Sequence, residues 1–157
     1  RAVRGLLRDA FKLAEANNWF TKPDGIENLV DYIFGVEGQS FGAQGILHVS
    51  SAQLCSAEHA YFAATPNASH ELYRVQCSTA IDHKTGSAKD QTLRSIEVAL
   101  PMVLHAEISI NNHPDKSELA PNQVLTWLAQ ASKLITGIGA KRKRGLGQVV
   151  VTAEVSK

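Results

Sequence analysis

Gly137-Ile-Gly-Ala-Lys-Arg-Lys-Arg-Gly-Leu-Gly147 places four glycines and four consecutive cations between a helical stripe and a β-branched run. That stretch constrains the fold most, because it sets a helix–loop–strand order for the end of the chain. Upstream of it, Val124, Leu125, Leu128, Ala131, Leu134 and Ile135 recur at helical spacing and predict a buried stripe. Pro121 stands near the start of that helix, where its missing N–H costs little, and Gly137 is placed as its C-cap. Downstream, Val149–Val155 reads as a strand. Glycine also lets the backbone adopt positive φ and approach a ligand closely, so that N–H groups can point at phosphate oxygens. The neighbouring Lys and Arg side chains add charge and, for arginine, a two-pronged fit to phosphate. The plainer alternative is a solvated hairpin whose cations serve solubility, although solubility does not require four glycines.

The rest of the chain supplies partners for that end. Val3, Leu6, Leu7, Ala10, Phe11 and Ala14 mark the apolar face of a first helix, with Arg1, Arg4, Arg8 and Lys12 on another strip. The pattern stops near Asn17-Asn18, and Lys22-Pro-Asp-Gly25 is a turn signal. A short second helix is expected over Glu27–Phe34, followed by a connection through Gly35, Gly38, Gly42 and Gly45. Gly45–Leu54 alternates as a strand, and Leu93–Asn111 is rich in β-formers. Tyr61–Ser78 resists assignment, whereas the polar Ala80–Lys89 predicts a protruding hairpin or loop. With one strand added before Arg1, the order becomes βαββαβ, an α+β, ferredoxin-like (RRM-like) arrangement. A single domain over residues 1–157 follows, and the absence of an initiator Met points to residues upstream of Arg1.

Charge matters here by position rather than by total. The formal net charge is only +1, yet no acidic residue lies between Glu118 and Glu154. Cys55 and Cys77 are unclustered, so a four-ligand zinc site is not expected, and two such thiols suit a reducing cytoplasm. No apolar run approaches the roughly 20 residues that span a bilayer. A P-loop is excluded, since Lys143-Arg144-Gly145 follows a helix, precedes a strand and lacks the Ser or Thr for magnesium.

Four ordered segments then carry a family resemblance. Gly139-Ala-Lys-Arg-Lys-Arg-Gly-Leu-Gly147 is similar to the C-terminal glycine-rich loop of CRISPR RAMP proteins. Ile81-Asp-His-Lys-Thr-Gly-Ser-Ala88 resembles the IDRxTGxA signature of their Cas7 group, especially the type III backbone subunits. Arg1-Ala-Val-Arg-Gly-Leu-Leu-Arg8 resembles the segment GSSLKGxxR, without its serines. Ile33-Phe-Gly35 followed by Gly45-Ile-Leu-His-Val49 matches the passage LFG…GxLxV.

The resemblance implies a RAMP fold with a thumb-like hairpin and a subunit that lies along a guide RNA in antiviral defence. It implies RNA contacts at Arg4 and Arg8, and at Gly139, Lys141, Arg142, Lys143, Arg144, Gly145 and Gly147. It places His83, Lys84 and Thr85 on or near the thumb, with His83 where the family often carries arginine. The implied partners are guide RNA, complementary target RNA and other Cas subunits or domains in a helical assembly, without a membrane.

Family members that cut target RNA use an aspartate in a loop that would precede Arg1, so no catalytic residue is assigned. No cofactor is expected in this chain, and divalent metal enters only if target RNA is cleaved. Read from the residues alone, Arg4 and Arg8 fit the solvent strip of an amphipathic helix equally well. Asp82 reads as a cap for its own loop, and Trp19, Trp127 and Phe34 read as packing residues. The rival functions are a guide-processing endoribonuclease of the Cas6 kind and a protein-interaction module with a basic loop.

Overall fold

A computed structural model describes residues 2–36, 44–111 and 119–154. The expectations for Arg1, Gly38, Gly42 and Val155 fall outside these residues. Two compact units divide the chain: Arg1–Ala52 with Ala106–Lys157, and Gln53–His105.

The first unit gathers the predicted helical stripes around one core. Helix α1 (Ala2–Ala16) buries Leu7, Ala10, Phe11 and Ala14, four positions that share one face at 3.6 residues per turn. Helix α2 (Leu29–Phe34) begins two residues later than expected. Asn28 is its N-cap, and its side-chain oxygen accepts the Asp31 N–H at 3.0 Å. Helix α4 (Pro121–Ser132) buries Val124, Trp127, Leu128 and Ala131. Aromatic rings join these elements: Phe11 stacks on Phe20 at 4.7 Å between centroids, and Phe20 lies 5.4 Å from Trp127. Phe34 and Trp127 are therefore core residues, as expected. Trp19 departs from that expectation at 47% exposed. Asn18 takes a left-handed φ of 56°, which turns the chain so that Phe20, not Trp19, enters the core.

One antiparallel sheet covers this unit's core. Strand β1 (Leu47–Val49) pairs with β4 (Ile108–Ile110) in the register Leu47↔Ile110, His48↔Ser109, Val49↔Ile108. Alternation sends Leu47, Val49, Ile108 and Ile110 inward and leaves His48 and Ser109 exposed. Both strands are shorter than the β-rich runs that predicted them.

Two expectations about the end of the chain are corrected. Helix α4 stops at Ser132, because Leu134 and Ile135 donate to Ala131 and Ser132, three residues back, and tighten the last turn. Gly137 is thus no C-cap; it forms an antiparallel bridge with Gln148. Residues 149–154 keep the alternation of a strand, with Val149 and Val151 against the core and Val150 92% exposed. They form no ladder among the described residues, since a strand requires a partner edge and not only a pattern.

The second unit is built differently. Helix α3 (Ser56–Ala64), a 3₁₀ turn (Ala68–Leu72) and strand β2 (Tyr73–Ser78) occupy the stretch that resisted assignment. Strand β3 (Arg94–Ala99) returns along β2 with six paired residues, Tyr73↔Ala99 through Ser78↔Arg94. The sheets are small and antiparallel in both units, so the fold is mixed α+β. No described helix is long and apolar enough to cross a membrane.

Candidate nucleic-acid interface

The glycine-rich segment closes as a loop on a short antiparallel base. Gly137 bridges Gln148, Ile138 N–H donates to the Gly147 carbonyl at 2.8 Å, and Val149 N–H donates to Thr136 O at 3.2 Å. Gly147 sits with φ 69°, and a Cβ there would run into the Ile138 carbonyl oxygen. Only glycine closes the base in this form.

At the tip, Lys141 occupies the left-handed region (φ 60°, ψ 25°) and starts a 3₁₀ turn over Arg142–Arg144. Arg144 N–H donates to Lys141 O at 2.8 Å, and Gly145, again left-handed, ends the turn by donating to Arg142 O at 3.2 Å. A lysine at positive φ is a strained choice for a β-carbon residue, so the turn's bonds hold it there. Lys141, Arg142 and Arg144 are exposed, with Lys143 between them in the turn. Gly139 is left-handed as well, and a Cβ on it or on Gly145 would meet open space. The tip thus presents cations and bare backbone together. Exposed charges of one sign are weak alone, but against a polyanion each neutralised phosphate releases counterions.

The α1 arginines are placed otherwise. The Arg4 guanidinium donates to the Phe34 carbonyl at 2.6 Å, at the C-terminal end of α2 where positive charge is favoured. Arg8 pairs with Asp31 at 3.2 Å, and its side chain is only 16% exposed. The other Asp31 oxygen accepts the Asn28 side-chain N–H at 2.7 Å. Both arginines therefore tie α1 to α2, a third reading beside the phosphate contact and the solvent strip. Asn28 and Asp31 were missed as part of this arrangement. The Asn28-Leu-Val-Asp31 spacing, a capping residue three before a carboxylate, was the available signal.

In the second unit, the segment resembling IDRxTGxA lies in the connection between β2 and β3. Ile81 bridges Ala88, Asp82 N–H donates to Ser87 O at 2.9 Å, and Gly86 N–H donates to Asp82 O at 2.8 Å. The Asp82 carboxylate accepts the Lys84 N–H at 2.8 Å, so it organises its own loop. Thr85 and Ser87 share a hydroxyl hydrogen bond at 2.7 Å. His83, Lys84 and Thr85 are exposed on this loop. The described residues contain no group of three or more His, Cys, Asp or Glu that could hold a metal ion.

Compared with known proteins, residues 1–150 match the family model described as RAMPs, the RAMP superfamily. No curated protein matches the chain.

Proposed function

The chain belongs to the RAMP superfamily, and from that premise we propose that it is a guide-RNA-binding backbone subunit of the Cas7 group in a type III CRISPR effector complex. The observation that carries this reading is the closed loop Gly139–Gly147, which exposes Lys141, Arg142 and Arg144 around left-handed backbone in a stretch without acidic residues. Such a tip suits a sugar-phosphate strand, since phosphate contacts position a nucleic acid without reading its bases.

Arg4 and Arg8 contribute in this reading while still tied to α2, because a guanidinium carries five N–H groups and can serve a helix and a phosphate together. The β2–β3 hairpin serves as the thumb, with His83, Lys84 and Thr85 supporting target RNA pairing. The fold reading is ferredoxin-like βαββαβ, in which β1 and β4 are the two central strands in chain order, α1 and α4 are the two helices, and residues 149–154 keep a strand's alternation without a ladder. Other Cas subunits or domains complete a helical assembly in the cytoplasm. No catalytic residue and no metal are assigned to this chain.

Replacing Lys141, Arg142, Lys143 and Arg144 together with Ala tests the reading directly. Affinity for single-stranded RNA falls, and the salt slope flattens by up to about 3, roughly 0.7 for each phosphate no longer neutralised. Equal affinity and equal slope for the parent and this variant would defeat the proposal. Intact binding to an acidic protein but not to RNA would favour the interaction-module rival.

A further inference from the structure

The glycines of the loop differ in what they leave room for. At Gly139, Gly145 and Gly147 the backbone is left-handed, which by itself accounts for glycine. At Gly137 it is not, so an alanine there carries no backbone strain. What occupies the space above Gly137 is the stem of Arg142: a Cβ would lie 3.2 Å from Arg142 Cδ and 3.3 Å from its Cγ. The next neighbour, the Gly147 carbonyl oxygen, would be at an ordinary 3.5 Å.

Arg142 is also the first residue of the 3₁₀ turn, between two left-handed positions, Lys141 and Gly145. Its backbone lies in the turn, and its stem lies against the bare surface of Gly137. A long cationic side chain normally loses much rotamer freedom when it grips a ligand. One already seated loses less, which strengthens binding without adding a contact. By contrast, a Cβ on Gly139 or Gly145 would meet open space, so neither glycine seats a neighbouring side chain.

We infer that Gly137 is a positioning residue for Arg142, its missing side chain holding the guanidinium ready for one backbone phosphate of the RNA. The inference rests on the RNA-gripping reading of the loop and adds a residue outside the set implied by the family resemblance. Arg142 becomes a pre-placed cation of the loop, and its planar fork fits a phosphate diester in two-pronged fashion.

A double-mutant cycle on the full chain tests it, with affinity for single-stranded RNA measured at several salt concentrations for the parent, Gly137→Ala, Arg142→Ala and the pair. Gly137→Ala weakens binding roughly two- to tenfold, the cost of one side chain set free. The pair then binds like Arg142→Ala alone, because the seat has no effect once its occupant is gone. Gly137→Ser, with the same Cβ and a hydroxyl, repeats the result and guards against a folding defect peculiar to one variant. Parent-like binding by both Gly137 variants, or penalties that add in the pair, overturns the inference. If the fourfold alanine variant loses affinity while Gly137→Ala does not, the seat alone falls. If the fourfold variant binds as the parent does, the RNA-gripping reading falls and takes the seat with it.

Discussion

The two units use the same backbone chemistry and reach opposite kinds of stability. In the first, three paired residues of β1 and β4 suffice, because their inward side chains close over Phe11, Leu29, Ile33, Val124 and Leu128. In the second, β2 and β3 pair over six residues, yet every residue of β2 is exposed. Ala68 alone is buried there among the described residues, and Tyr61, Val75, Ile81, Leu93, Val103 and Leu104 are all more than half exposed. The length of a ladder does not make a core. Buried apolar area, at about 25 cal/mol per Å², carries most of the favourable folding free energy, while an exposed ribbon gains only what its hydrogen bonds and cross-strand pairs provide.

The sharpest way to break this contrast is a matched pair of truncations. Phe11→Ala removes a fully buried ring that stacks on Phe20, and it should cost about 3–5 kcal/mol in denaturant unfolding. Val75→Ala, on the exposed ribbon, should stay within about 0.5 kcal/mol of the parent. A Val75 effect as large as that of Phe11 would show that the ribbon is covered in solution.

A smaller effect sharpens the account of the first unit. Asn28→Ala removes the α2 cap and one donor to Asp31, and it should cost about 1 kcal/mol. Since Asp31 also holds Arg8, the same variant should loosen the α1–α2 tie, seen as faster amide exchange in α2. Unchanged exchange would leave the Arg8–Asp31 pair without that structural part.

Least of all should Asp82→Ala disturb the whole. Its carboxylate orders only the Lys84 amide within an exposed loop, so unfolding should shift by about 0.5 kcal/mol or less. Faster exchange at Lys84 with unchanged global stability would fit a local cap; a global loss would assign the loop a part in folding.

Legibility in the sequence followed the range of the interactions. The stripes of α1 and α4 were readable because a helical period is local, and Leu7, Phe11, Val124 and Leu128 are buried where that period put them. The end of α4 was not: Gly137 looks like a cap in sequence, but the last turn had already closed on Ala131 and Ser132. Tyr61–Ser78 mixes a marginal helix and an exposed strand, neither with an apolar face to announce it. At the site, the basic, acid-free loop was plain to read. The engagement of Arg8 was hidden, because its partner Asp31 lies 23 residues away on another helix.

Composition and spacing alone thus determined that two amphipathic helices bury their stripes and that a run of cations lies among glycines free of acidic neighbours. Packing in three dimensions decided which cations remain open to a ligand, which are bound to α2, and which one lies across Gly137. It also decided that residues 149–154 alternate without a ladder. Periodicity and local charge are properties of a segment, whereas pairing, seating and burial belong to two surfaces that the chain brings together only when it folds.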